Sequence, residues 1–485
     1  MARKAVLLYS PHYVAPALRS GRQYLAMPPF SLLALAGPLR DAGYDVRILD
    51  AKWDANWRDH VRSAAGDLVC AGVTSLTGPA VSDGLEFASF VKQIRPDIPV
   101  IWGGWHATFA ARQAIQDPRV DAVVHGIGER TMVELVRAIE NGDSLRKVRG
   151  ISFREGSGVV TTGERPTEDI NHFPPPAYEL IDPKRYVMQG ERMLRKAATI
   201  FSRGCPYACD FCLDSRSRWL GLSVDRMLAD MEFWCSQGAN HIQFYDGNFF
   251  LARARLVEFC NALLARDLPS RIHWTATAVG RRIAGMDDEL LGLLRRAGLE
   301  QVAIGAESGS DELLSRITNK TNVESTLEAV RRLTRHGINQ YLFFMIGYPD
   351  EPADALERTL EFIVKLKGIN PALELCLNYT TPLPGSEVFR IAVERGLVAP
   401  PRTFEDWARF DYVKPNLQGI PAEYTRHVRL FERFLNLAYP LKDRMQPPAL
   451  LRKIARWRIA NQNYAFPVEL AALSASRFVR QAIAQ

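Results

Sequence analysis

The 485-residue sequence predicts an α/β protein in three parts: a doubly wound parallel sheet, a partial (β/α)6 barrel and a helical carboxyl-terminal region. Three observations predict it. Residues 1 to 145 alternate short apolar runs with amphipathic stretches, and strands apolar on both faces belong to parallel sheets covered by helices. The alternation returns six times between about 198 and 396, after a proline-rich connector that cannot continue a helix. The chain is also too long for a single hydrophobic core, so roughly three or four units are expected.

In the first part, residues 1–145, strands are expected at AVLLYS, DVRILDA, LVCAGVTSL, PVIWGG and DAVVHG. Ligands of such sheets bind at the carboxyl ends of the strands. Those ends carry Ser10 to His12, Thr74 to Gly78, Gly103 to His106 and Gly126 to Glu129. Residues 146–196 read as a linker, with a hairpin at GISFREGSGVVTTGE and a rigid connector at HFPPPAYELIDPKRY. The barrel, 197–398, has strands near ATIFSRG, HIQFYD, IHWTATA, EQVAIGAE, NQYLFFMIG and LELCLNYTT, and its functional residues should follow those strands. Residues 399–485 lose the strand signal and read as helices.

The hydrophobic and charged fractions, 47% and 24%, exclude a disordered chain or a fibrous repeat. The start, MARKAVLLYSPHY, is too briefly apolar for a signal peptide or a membrane span, and no later stretch is long enough to span, so the cytoplasm is the expected compartment. The formal charge of +7, from 61 basic and 54 acidic residues, does not point to nucleic acid. The excess concentrates in Lys442, Arg444, Arg452, Lys453, Arg456 and Arg458, opposed by Asp443 alone. In PALLRKIARWRIA, Leu450, Ile454 and Trp457 share one helical face with a basic rim. That pattern suits a helix docked on the barrel, peripheral contact with an anionic membrane, or an acidic electron donor of the flavodoxin or ferredoxin type.

Seven cysteines with a single cluster, Cys205, Cys209 and Cys212, indicate metal-site spacing; a disulfide framework is not expected. Three thiolates on one loop can each hold one iron of a [4Fe–4S] cubane and leave the fourth iron open. A closed zinc site needs a fourth ligand, for which Asp214 and Cys235 are the next candidates. Cys70, Cys235, Cys260 and Cys376 read as reduced core thiols.

The CxxxCxxC spacing, with Phe211 before the last cysteine and at the end of the first barrel strand, resembles the radical S-adenosylmethionine (SAM) superfamily. The resemblance implies that the open iron binds SAM and that one electron cleaves it to a 5′-deoxyadenosyl radical. Tyr245-Asp246-Gly247-Asn248-Phe249-Phe250 stands where many members carry Gly-Gly-Glu; Asp246 or Asn248 would take over the contact to the methionine amine, beside Tyr245. Gly305-Ala306-Glu307-Ser308 and Ile346-Gly347 resemble segments that line the cosubstrate, with Glu307 accepting from a ribose hydroxyl or ammonium.

A doubly wound domain before such a barrel resembles the cobalamin-binding modules of one branch of that superfamily, and the likeness covers about residues 5 to 396. It implies that Ser75, Leu76, Thr77, Gly103, Gly104, His106, Gly126, Gly128 and Glu129 border the corrinoid, with Ser75 and Thr77 bonding its nucleotide tail. The signature Asp-x-His-x-x-Gly is reduced to Ser10, His12 and Ala15, so His12 is not expected to be the lower cobalt ligand. The activity implied is methyl transfer to an unactivated carbon. The alternatives are ring formation or oxidation, as in the anaerobic magnesium-protoporphyrin monomethyl ester cyclase, or a binding protein without catalysis. A small-molecule or lipid-like substrate would meet an aromatic cavity of Tyr245, Phe249, Phe250, Trp274, Phe344 and Tyr379, unless those rings are ordinary barrel packing.

Overall fold

The structure, a computed structural model, describes residues 4–12, 27–189, 194–411, 414–440 and 447–470. Strands β1 (Ala5–Ser10), β2 (Asp45–Asp50), β3 (Leu68–Thr74), β4 (Val100–Gly103) and β5 (Ala122–Val124) form a parallel sheet in the order 2-1-3-4-5. β1 is apolar on both faces because both are covered. Val6 and Leu8 pack with Leu32, Leu33 and Met132 on one side. Leu7 and Tyr9 pack with Val81, Leu85 and Phe87 on the other. The chain leaves β1 for opposite neighbours, β2 and β3, which creates a topological switch point at the strands' carboxyl ends.

The hairpin of the connector, β6 (Ile151–Glu155) and β7 (Gly158–Thr161), adds two antiparallel strands to this same sheet, with Ile151 and Phe153 opposite Val124 and Ala122. The first sheet therefore runs past residue 145. Tyr178 and Tyr186, further along the connector, belong to one apolar cluster that continues from the first sheet into the barrel.

The second sheet begins with β8 (Met188–Gln189), antiparallel to β9 (Arg195–Thr199). A short ladder of β10 (Ser202–Arg203) and β11 (Leu220–Gly221) then closes a loop. The sheet continues parallel through β12 (His241–Phe244), β13 (His273–Ala278), β14 (Leu299–Glu307), β15 (Asn339–Ile346) and β16 (Glu374–Tyr379). Six parallel strands in sequential order, with helices between them, make the partial (β/α)6 barrel, and the three-part fold expected from the sequence is the fold observed. The helix Val323–Arg335 shows why these segments are helical. A capping box of Asn322 and Ser325 satisfies its first amides, and Leu327, Val330 and Leu333 bury one stripe.

The carboxyl-terminal region divides in two. Phe404, Trp407 and Phe410 cover the first sheet beside Trp102 and Ala107, whereas Phe431, Phe434 and Ile459, on the helices Ala422–Ala438 and Ala449–Ala460, join the barrel's apolar cluster. Among the described residues no helix is long and apolar enough to cross a membrane.

Candidate functional site

The cysteine loop leaves β9 and is locked by hydrogen bonds of its own. The Cys205 amide donates to Ser217 Oγ at 2.8 Å, the Cys209 amide to Ser215 Oγ at 3.1 Å, and the Ser217 amide to the Cys205 carbonyl at 3.0 Å. Gly204 has φ +81°, and a Cβ there would meet the Arg218 carbonyl, so only glycine lets the two strands close the loop. Asp246 is buried behind it and accepts from the Phe201 amide at 3.2 Å and from the Ser202 hydroxyl; burial raises its pKa to about 6. Expected from the sequence as a possible cosubstrate contact, Asp246 is occupied in positioning the loop.

Burial pushes the Cys212 thiol up to about 11 and raises that of Cys205, which bound iron would reverse, because a coordinating thiol is deprotonated outright. Among the described residues no three His, Cys, Asp or Glu side chains converge on one metal ion. A cubane asks each thiolate to hold its own iron, so three soft donors on one preformed loop fit it.

Around this loop, Gly247 lies against Cys205 and Asp214. Asn248 is fully buried and neither of its amide atoms has a partner, an orphan that a bound group would satisfy. Glu307 adopts φ +61° and pairs with Lys320 Nζ at 2.9 Å. Burial works against the Lys320 charge, but Glu307 and the thiols of Cys209 and Cys212 hold its pKa above the usual value. Ser308 is turned inward, sharing a hydrogen bond with Thr359 Oγ1 at 3.1 Å. Ile346 is buried, and the Gly347 amide donates to Tyr424 Oη at 2.9 Å and Glu351 Oε2 at 3.1 Å.

A cavity of about 830 Å³ lies between the loop and the first sheet. One wall consists of strand ends: Ser75, Leu76, Gly103, Gly104, Gly126 and Gly128. The Ser75 hydroxyl is buried without a partner, and Leu76 and Trp105 remain 49% and 42% exposed. The opposite wall includes Arg203, Gly204, Ser217 and Tyr245. Glu129, almost fully buried, bridges the two walls by an ion pair of 2.6 Å to Arg203, two residues before Cys205.

Thr77 and His106, expected from the sequence to border a corrinoid, do not line this cavity. They hydrogen-bond each other, Thr77 Oγ1 to His106 Nδ1 at 3.0 Å, and His106 stacks on Phe404 with ring centroids 5.1 Å apart. Burial there drives its pKa down to about 3. His12 is exposed and outside the cavity wall, with its amide on Asp83; Tyr13 to Ala15 lie outside the described residues. Of the expected aromatic lining only Tyr245 reaches this cavity. Phe249 stacks on Phe244, Trp274 donates to the Ala297 carbonyl, and Phe250 and Phe344 are buried in the apolar core. Thr318 and Lys320 were not marked by any local pattern; Arg203 adjoins the cysteine motif and Trp105 lies within the strand end Gly103 to His106, but neither was singled out.

The family model of the radical SAM superfamily matches residues 199–363 and that of the B12 binding domain matches residues 22–136. The chain therefore carries a B12-binding domain followed by a radical SAM domain, and a [4Fe–4S] cluster, SAM and cobalamin are the cofactors that this pair of domains implies. More particularly, it is 29% identical to an uncharacterized methyltransferase of Pyrococcus horikoshii, over 80% of this chain and 82% of that protein. It is also 29% identical to the anaerobic magnesium-protoporphyrin IX monomethyl ester cyclase of Rubrivivax gelatinosus, over 83% and 72%. Its fold matches the solved structure of the radical SAM methyltransferase TsrM from Kitasatospora setae with cobalamin and a [4Fe–4S] cluster bound, at TM-score 0.68, 18% identity and full coverage of both chains.

Proposed function

We propose that this enzyme transfers a methyl group to an unactivated carbon of a small or lipid-like molecule. One observation carries the reading: the cysteine loop and the partner-seeking strand ends of the first sheet wall a single cavity, so one substrate can face both. When bound, the cluster with SAM supplies a 5′-deoxyadenosyl radical and the corrinoid supplies a methyl group. The chain's own residues hold and orient. Cys205, Cys209 and Cys212 ligate iron; Asn248 and Glu307 are offered to the cosubstrate, with Tyr245, Ile346 and Gly347 beside it; Ser75, Leu76, the glycines at 103, 104, 126 and 128, and Glu129 form the corrinoid wall. Leu76, Trp105 and Tyr245 give the cavity its apolar surface and limit water near a reactive radical.

The experiment is anaerobic production with cobalamin, followed by mass spectrometry of extracts from a deletion strain and the wild type. A product heavier by one methyl group than the compound accumulating in the deletion strain is expected. Ring closure without added carbon would favour the second reading, cyclisation, which the likeness to the magnesium-protoporphyrin cyclase supports equally by identity.

Reduction of the cluster calls for a flavodoxin- or ferredoxin-type donor, and a lipid-like substrate calls for contact with a membrane. The helix Ala449–Ala460 supports the latter. Leu450 and Trp457 are 68% and 54% exposed, Lys453 and Arg456 are exposed beside them, and Ile454 is half-buried. Cosedimentation with vesicles is expected to require anionic lipid and to weaken in Trp457→Ser; equal binding to zwitterionic vesicles would remove the proposal.

A further inference from the structure

The segment Ile317–Lys320, just after the helix Asp311–Ile317, backs the cysteine loop. The Asp210 amide donates to the Ile317 carbonyl at 3.0 Å and the Ala208 amide to Asn319 Oδ1 at 3.0 Å. Cys209 and Thr318 form an isolated antiparallel bridge, and Thr318 Oγ1 lies 3.1 Å from Cys209 Sγ. Lys320, whose side chain is only 16% exposed, holds its ammonium 5.4 Å over the ring of Phe211, between Cys209 and Cys212 in sequence, and 2.9 Å from Glu307 Oε1. The loop thus has a hydroxyl on the Cys209 sulfur and a cation over the Phe211 ring next to Cys212 in sequence, both from a segment outside the motif.

We propose that Thr318 and Lys320 are positioning residues that raise the reduction potential of the cluster. Once Cys209 ligates iron its sulfur has no proton, so at this distance Thr318 must be the donor. A hydrogen bond to a ligating sulfur stabilises the electron-richer state, and a nearby positive charge does the same for a centre that gains an electron. Partial burial lessens solvent screening of that charge. Glu307 opposes it, so the two members of the ion pair pull the potential in opposite directions. That opposition distinguishes an electrostatic role from a structural one, since loss of packing would not change sign with the charge removed.

The test is reduction of the anaerobically reconstituted, full-length enzyme without SAM or substrate, with the reduced cluster followed by electron paramagnetic resonance against applied potential. Thr318→Val is expected to shift the midpoint to more negative values and Thr318→Ser to restore it. Lys320→Met should shift it further negative, and Glu307→Gln should shift it positive. Midpoints equal to wild type in iron-loaded Thr318→Val and Lys320→Met would overturn the assignment, as would shifts of the same sign in Lys320→Met and Glu307→Gln. Should Lys320→Met fail to take up iron, Thr318→Val against Thr318→Ser decides, and equal midpoints overturn it. The inference rests on the cluster assignment, whose own failure would appear as missing iron in the wild type.

Discussion

The cysteine loop and the strand-end wall proposed for the corrinoid border one cavity but are built in opposite ways. The loop is satisfied from within: serine hydroxyls hold the Cys205 and Cys209 amides, and Asp246 holds Phe201 and Ser202. The wall leaves its groups open, with the Ser75 hydroxyl unpartnered and Leu76 and Trp105 exposed. A cubane demands fixed sulfur positions, which a preformed loop supplies. A large ligand with many polar groups can instead complete the wall that receives it, at the cost of unmet hydrogen bonds while it is away.

The largest expected effect lies on the loop. Replacing Cys205, Cys209 or Cys212 by Ala should abolish the reducible cluster and 5′-deoxyadenosine formation, measured by iron content and product chromatography. Cys235→Ala and Cys260→Ala should keep near-normal iron, because Cys260 is a buried core thiol and Cys235 packs against the same core. Selective iron loss in either would break the contrast between an organised loop and an inert core.

A smaller effect follows from the carboxyl that supports β9. Asp230 accepts from the Thr199 hydroxyl, and burial raises its pKa from 3.8 to about 6. Its folded pKa exceeds its unfolded one, so the stability it contributes is full below about pH 4 and is lost as pH rises through about 6. Two pKa units amount to about 3 kcal/mol. Asp230→Asn, which stays neutral, should therefore gain stability relative to wild type as pH rises from 4 to 8, read by thermal unfolding at both. A difference independent of pH would mean that the carboxyl is not held protonated.

The two regions were unequally legible in the sequence. The strands were readable because short apolar runs alternate with amphipathic stretches, and β1 is apolar on both faces, and the cluster because three thiols at fixed spacing have few other uses. What escaped depends on contacts distant in sequence. Lys320 and Thr318 stand 115 and 113 positions after Cys205, in a stretch with no periodicity. Thr77 and His106 were misread because a strand end fixes where a residue sits, not which way it turns; Ser75 and Leu76 face the cavity while Thr77, two positions after Ser75, folds toward Phe404 with His106. The hairpin Ile151–Thr161 was visible, but its place as the edge of the first sheet required knowing which strand was left unpaired.

The smallest effect is also the most direct comparison, one serine from each wall. Ser217 Oγ accepts from the Cys205 amide at 2.8 Å and donates to Asp214 Oδ1 at 2.9 Å. Ser217→Ala strips a partner from a backbone donor in the cluster loop, which should lower the stability of the cofactor-free protein by about 1–3 kcal/mol. The Ser75 hydroxyl has no partner to lose, so Ser75→Ala removes an unmet polar group and should leave that stability unchanged or raise it. Its cost should appear only with ligand: one neutral hydrogen bond of about 1 kcal/mol corresponds to roughly fivefold weaker corrinoid binding. Thermal unfolding of the cofactor-free variants and equilibrium titration with cobalamin measure the two quantities separately. If Ser75→Ala destabilised the free protein as Ser217→Ala does, and bound cobalamin unchanged, the hydroxyl would be part of the scaffold and the corrinoid wall would be no more open than the loop it faces.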